Sequence, residues 1–347
     1  MKRSAIMTLR KALLSAAALL FLAGGSSCVH QFPMEDETAN VVLNVVQDTE
    51  WLPDFEMTLS RAEAPDVNIR YDFRVYPKGN SSDCIRSFTL FRDDLKRGDF
   101  STSLVLAPGD YDIWCWSDYA YVSDGSAVYY DDSNFAAITY RKPYEGDTDL
   151  RDAFRGKTSF TISEPGYYQA ETVYATIELR RPFARYKFIA NDLADFIITE
   201  QSRGKLVSPE YDDNPLTDGS PRWARLSDYK VRIIYPLYMP AVFDNFLNNP
   251  TDSWTGVSFD CRMVQLSADE AELAMDYVMV NGDESSVQVM LEVYDPDGMA
   301  IARTNTISIP TKRNRTTLVY GKFLTTLRSD GVGIDPDFAG DYNIELK

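Results

Sequence analysis

The chain has 347 residues, 44% hydrophobic and 13% aromatic, with a formal net charge of −17. Its length suggests about two domains with sizeable cores, and its acidity argues against nucleic acid and against electrostatic adhesion to anionic membranes, both of which need clustered Lys and Arg. The one histidine is His30, close to the N-terminus; a Ser-His-Asp triad, a Cys-His pair and a His-rich metal site are thereby excluded from the folded part, while carboxylate chemistry is not.

Lys2, Arg3, Arg10 and Lys11 give a basic start, followed by the apolar run ALLSAAALLFLA (12–23). Spanning a bilayer core takes about 20 apolar residues, so this run is too short to cross and fits the core of an export signal. Gly24, Gly25, Ser26 and Ser27 come next, then Cys28. The arrangement looks like a bacterial lipoprotein signal, in which the Cys becomes the first mature residue and carries acyl chains. Ser27 fits that pattern; Gly25 stands where the common motif has Leu. The expectation is a signal peptide over 1–27, lipidation at Cys28, and an acidic tether over 28–39 that has little to bury. No later segment is long and apolar enough to span a membrane. The protein is thus expected to be exported, anchored by lipid at one end and otherwise soluble.

Strands are expected from there on. VVLNVVQ (41–47) is the first. In IRYDFRVYP (69–77), Ile69, Tyr71, Phe73 and Val75 share one face and Arg70, Asp72 and Arg74 the other, the period-two pattern of a half-buried strand. SFTLF (87–91) reads the same way. Residues 101–119 hold two strands about the turn Ala-Pro-Gly-Asp; Tyr111, Ile113 and Cys115 face one way, Asp112, Trp114 and Trp116 the other. Residues 120–157 form an excursion with short strands. KTSFTIS (157–163), ETVYATIELRR (171–181) and PFARYKFIA (182–190) return to strand, with a domain boundary at Arg181-Pro182. Asn191-Asp192 supply a cap for a short helix, LADFIIT. In the second half, strands are expected over 228–238, 260–266, 272–280, 286–295, 302–310 and 315–325. PAVFDNFLNNP (240–250) reads as a turn-rich connection, and Asp-Pro-Asp-Gly (295–298) as a hairpin turn. DFAGDYNIELK closes the chain with a short strand. Many short strands with regular turn signals indicate an all-β chain of two tandem β-sandwiches, over 40–181 and 182–347.

The chemistry-bearing stretches are modest. YYDDSN (129–134) offers Asp131 and Asp132 to a cation but lacks the spaced ligands of a Ca²⁺ loop, and reads as a solvated loop. Trp114, Trp116, Trp223 and Trp254 suit core or interface packing better than a sugar platform. RRPFAR (180–185) reads as a charged seam between strands, and KRNR (312–315) as a solvated turn with Asn314 bonding locally. Cys84, Cys115 and Cys261 follow no metal-ligand spacing; export permits one disulfide among them, and buried thiols are the alternative. No catalytic, cofactor-binding or metal-binding residue is expected.

Four segments in order resemble the fimbrillin-like lipoproteins of Bacteroidales. They are LAPGDYDIWCWSDY (106–119), LRDAFRGKTSFTI (150–162), IELRRPFARYKFIAND (177–192) and IPTKRNRTTLVYGKFLT (309–325). The resemblance implies two transthyretin-like, Greek-key sandwiches without catalysis. It also implies a fimbrial anchor or accessory subunit acting in fimbria assembly and adhesion, with fimbrial subunits as partners through β-strand complementation. Stalk subunits of that kind are cleaved after an Arg or Lys, and Arg61 in LSRAEAP lies in a suitable loop. The alternative role is a surface glycan-binding lipoprotein; a carboxylate glycosidase is a third, carried by acidic residues alone.

Overall fold

The computed structural model describes residues 39–48, 66–93, 98–164, 172–205, 225–325 and 342–345. The signal peptide over 1–27, Cys28, His30, Arg61 and Trp223 lie outside the described residues, as does most of the 28–39 tether.

The described chain is almost wholly strand. The first half contributes β1 (Val41–Gln47), β2 (Val67–Pro77), β3 (Arg86–Arg92), β4 (Phe100–Leu104), β5 (Gly109–Tyr121), β6 (Tyr130–Asp131), β7 (Ile138–Tyr140), β8 (Phe154–Ile162) and β9 (Val173–Leu179). After β10 (Phe183–Ala190) and the helix α1 (Leu193–Ser202) come β11 (Lys230–Asp244), β12 (Asn249–Arg262), β13 (Val264–Gln265) and β14 (Ala271–Met279). β15 (Glu284–Tyr294), β16 (Ala300–Arg303), β17 (Ile307–Lys312), β18 (Thr316–Gly321) and β19 (Tyr342–Glu345) complete it.

Two sheets, ordered β4-β1-β9 and β3-β2-β5-β8, enclose a first core. The alternation in β2 does what its sequence dictates: Ile69, Tyr71, Phe73 and Val75 are all fully buried in that core. β1 lies between antiparallel β4 and parallel β9. The Ala-Pro-Gly-Asp turn carries the chain from one sheet to the other, because β4 pairs with β1 while β5 pairs with β2 and β8. Tyr111 folds back there and donates its hydroxyl to the Ala107 carbonyl at 2.9 Å. Gly109, at φ +154°, makes room for it; a Cβ at that position would meet Tyr111 Oη at 3.1 Å.

The second pair of sheets is ordered β13-β14-β10-β18-β19 and β16-β15-β11-β7-β6, with β12 added on β11 and β17 on β15. They enclose a second core. Two strands of the first half, β6 and β7, belong to this sheet: β7 pairs with β11 through Thr139 and Ile138. The excursion over 120–157 is therefore how the first half of the chain enters the second core.

β5 joins the two cores. Tyr111, Ile113 and Cys115 face the first, while Trp114 and Trp116 face the second, so the strand is buried on both sides. Trp116 is completely buried among Tyr130, Phe183 and Phe243.

Three local expectations are corrected. PAVFDNFLNNP is mostly strand: Met239, Ala241 and Phe243 alternate inward and are fully buried, and only Asn245 to Asn248 turn. Pro240 and the Asn residues around the turn mask that period in the sequence. Asp244 Oδ1 holds the turn by accepting from the backbone N–H groups of Phe246 and Leu247. Asp192 does stand at the helix N-cap, but its side chain caps nothing in the helix. It accepts instead from the backbone N–H groups of Leu324 and Thr325 and from Thr325 Oγ1, fixing the chain after β18. Asp132 is no solvated acid, as its ion pairs show below. The Asp295 hairpin is as expected: Glu292 faces Arg303, and Lys205 bridges Asp295 and Asp297 at 2.6 and 2.9 Å.

Candidate functional site

Where the halves meet, three arginines and two aspartates are withdrawn from water, and a third aspartate, Asp149, is half-buried beside them. Arg181 lies in the link between β9 and β10, completely buried, and its Nε and Nη2 grip the two oxygens of Asp152 at 2.6 and 2.8 Å. Its Nη1 reaches Asn314, in the turn between β17 and β18. The guanidinium also lies 4.6 Å from the Phe154 ring centroid. Arg185, on β10, meets Asp149 at 3.3 Å and Thr316 Oγ1 at 3.2 Å. Arg151 faces Asp276 at 3.3 Å and packs against the rings of Tyr144 and Tyr140, 4.1 and 4.4 Å from their centroids. Taking ions out of water is costly unless opposite charge and hydrogen bonds compensate; here the charges balance one for one.

The aspartates come from two directions. Asp149 opens, and Asp152 follows, a 3-10 turn (Asp149–Arg151) that Thr148 caps by accepting from Leu150 N at 3.2 Å. Asp276 rises from β14 and accepts from the hydroxyls of Tyr144 and Tyr235, both at 2.6 Å. Burial pushes its carboxyl above the usual carboxylate range, while Arg151 and the two tyrosines pull it back. Among the described residues Arg155 pairs with no carboxylate; it bonds Asn245 through both side-chain and backbone oxygens, and burial lowers it to about 10.

A second cluster ties β2 to the same excursion. Arg70 binds Asp118 at 2.8 and 3.0 Å and Asp132 at 2.8 Å. Arg74 donates to the backbone carbonyls of Asp132 and Ser133 and to the Asp72 carboxylate. Burial first, and Asp132 second, push Asp72 up to about 6.

RRPFAR is thus the charged seam its sequence suggests. KRNR is not a solvated turn: Arg313 donates inward to the Val280 carbonyl and to Asn248 and Asn249, and Asn314 receives Arg181. Neither reach across the chain has a local signature. Asp276 left one: it is a charged residue inside ELAMDYVMV, a strand buried at every position. Gly156 follows from packing. A Cβ there would stand 2.7 Å from the Glu178 carbonyl and 2.8 Å from Ile177 and Leu179, where β8 crosses close to β9.

The remaining candidates separate. Cys84 is exposed, Cys115 lies in the first core and Cys261 in the second. Asp131 is exposed and accepts from Ser133 N. Trp114 and Trp116 are packed inside, but Trp254 on β12 is half-buried beside an open cleft of about 480 Å³, lined by Asp131, Thr139, Tyr140, Arg141 and Lys142. Among the described residues no group of three or more His, Cys, Asp or Glu side chains gathers as a metal site, and no helix is long and apolar enough to cross a membrane.

Comparison with known proteins gives one family. The model of a family described as "Family of unknown function (DUF6562)" matches residues 33–347. No curated protein matches the chain. Among solved structures, a candidate polysaccharide-binding protein from Bacteroides thetaiotaomicron aligns at 14% identity and TM-score 0.42, over 76% of this chain and 79% of its own. A candidate adhesin from Bacteroides ovatus aligns at 14% identity and TM-score 0.39, over 76% of each chain. The fimbrial anchor protein Mfa2 from Porphyromonas gingivalis aligns at 11% identity and TM-score 0.35, over 76% of this chain and 81% of its own.

Proposed function

We propose, for a chain that belongs to the DUF6562 family of unknown function, the role of a lipid-anchored fimbrial anchor or accessory subunit without catalysis. On this reading Cys28 is the first mature residue and carries the lipid, and two sandwiches project from the outer membrane, the first built from 40–181 apart from β6 and β7, the second from 182–347 together with those two strands. Fimbrial subunits are its partners, joined by strand exchange. The observation that carries the reading is where the four family-like segments fall: the first in the Arg70 cluster, the other three at the seam. Asp118 of the first holds Arg70 beside the excursion. Asp152 and Gly156 of the second, Arg181 and Arg185 of the third, and Asn314 and Thr316 of the fourth converge on the seam. In this chain these segments build the joint of a two-part scaffold. Such a joint suits a subunit whose task is to hold partners in fixed relation. Strand exchange needs an open edge with unpaired backbone groups, and β12 pairs with β11 alone among the described strands.

Two measurements test this together. Mass spectrometry of membranes should find an acylated Cys28 at the mature N-terminus, and Cys28→Ala should move the protein to the soluble fraction. Pull-down of the wild-type protein from cells should recover fimbrial subunits. An unmodified N-terminus elsewhere removes the anchor; a lipidated protein that recovers no fimbrial subunit removes the fimbrial role.

A further inference from the structure

We propose that the cleft between β7 and β12 binds an acidic carbohydrate, a pyranose carrying a carboxylate, with Trp254 as its stacking face and Arg141 as its carboxylate ligand. The site lies on the seven-stranded sheet and borders the seam at Tyr140, but its polar and aromatic lining otherwise comes from residues that the seam does not use.

Arg141 is the first of these. Its backbone N–H is fixed to the Tyr129 carbonyl at 2.8 Å and its Nε to the Tyr130 carbonyl at 3.1 Å. The guanidinium plane is therefore held, while among the described residues its two Nη atoms have no hydrogen-bond or ion-pair partner. A held guanidinium with its outer N–H groups unused presents the geometry that a carboxylate accepts.

Trp254 is the second. Trp114 and Trp116 are packed away, but this indole is braced edge-on by Tyr140, with centroids 6.0 Å apart and planes at 74°, and the rest of it borders the cleft. An aromatic face beside a few placed polar groups is the usual make-up of a small-ligand site, and a volume of about 480 Å³ falls within the range of such sites, about 300–1,000 Å³. Lys142, exposed, rests its ammonium 4.6 Å from the indole centroid. Such a contact between an exposed cation and a ring is weak. A sugar ring can take the lysine's place on the indole and leave the ammonium free to turn towards the acid. Asp131, also lining the cleft, has an exposed carboxylate to accept sugar hydroxyls.

Charge selects the ligand class. The whole chain carries −17, so an anion is repelled at long range and is retained only where local cations outweigh that field. Arg141 and Lys142 are adjacent and both line this cleft, where they outnumber its one carboxylate, Asp131, leaving a net positive charge. A neutral sugar would use the indole and leave the guanidinium idle.

The test is calorimetric titration of the full chain with α-1,4-trigalacturonate and with 3′-sialyllactose. The methyl ester of the first and lactose serve as neutral counterparts. At least one acid should bind saturably, and its neutral counterpart at least tenfold more weakly. Trp254→Ala should weaken acid binding at least tenfold. Arg141→Gln, at an exposed position, should abolish the preference for acid over neutral, and it decides the matter where Trp254→Ala fails to fold. No saturable binding of either acid, equal affinity for acid and neutral forms, or an Arg141→Gln variant that binds like the wild type would each overturn the proposal.

Discussion

Replacing Arg181 with alanine removes a buried cation that ties the link between β9 and β10 to two other segments of the chain, through Asp152 and Phe154 in one and Asn314 in the other. The Arg181 side chain is 0% exposed and that of Asp152 4%, so no water is at hand to take over. Truncating one member of a buried pair leaves the other charge uncompensated and costs about 3–5 kcal/mol. For a folded unit of this size that lowers the thermal midpoint by roughly 6–20 °C. Urea unfolding followed by calorimetry measures it. The double replacement Arg181→Met with Asp152→Leu is the control. It removes both charges and keeps apolar volume, so it should lie closer to the wild type than Arg181→Ala does. A loss below about 1 kcal/mol for Arg181→Ala, the range of exposed ion pairs, would refute the claim that this pair is desolvated and holds the seam. So would a double variant less stable than the single one.

Gly156→Ala should destabilise by about 1–3 kcal/mol in the same assay, because its Cβ meets the backbone carbonyl of Glu178, which cannot rotate away; an unchanged midpoint would mean that β8 and β9 separate freely. Asp72, raised to about 6 from 3.8, contributes stability that is fully present below pH 3.8 and lost as the pH rises through 6, up to about 3 kcal/mol in all. Asp72→Asn should therefore flatten the rise in stability expected on going from pH 7.5 to pH 5, and parallel pH profiles for variant and wild type would contradict the assignment. Asp192→Ala should cost about 1–3 kcal/mol by stripping acceptors from Leu324 and Thr325. Helix content by circular dichroism should stay the same, while hydrogen exchange accelerates at 323–325; a loss of helix signal would show that it acts as a cap after all.

The strand-rich fold was legible because period two is a local property. β2 and β9 each show which face is buried through residues two apart, and no distant partner is needed to read it. The double burial of β5 was half legible: the two faces could be separated, but that the Trp face meets a second core depends on the excursion that returns as β6 and β7. The polar joint was legible only where the sequence itself looks out of place, as in the Arg and Pro run at 180–185. Arg313 and Asn314 read as solvent-facing because nothing within five residues reveals Arg181, which is 133 positions from Asn314. Asp132 misled for the same reason, since its partner Arg70 is 62 positions away. Trp254 was named among four tryptophans by residue type alone, and only the folded arrangement separates it from the two packed inside.

The insertion of β6 and β7 beside β11 bears on how this protein can be divided for experiment. Cutting at Pro182 looks natural on paper, since it parts two strand-rich stretches of similar length. A fragment beginning there would lack Thr139 and Ile138 against Val242 and Phe243, and Trp114, Trp116, Tyr130 and Phe135 from its interior. The complementary fragment would expose those same aromatic rings to water. Both pieces should be sticky and poorly expressed alone, whereas mixing them should restore solubility by reassembly. The molecule is in this sense one interlocked article of two cores, and its separable pieces do not coincide with its successive stretches of chain.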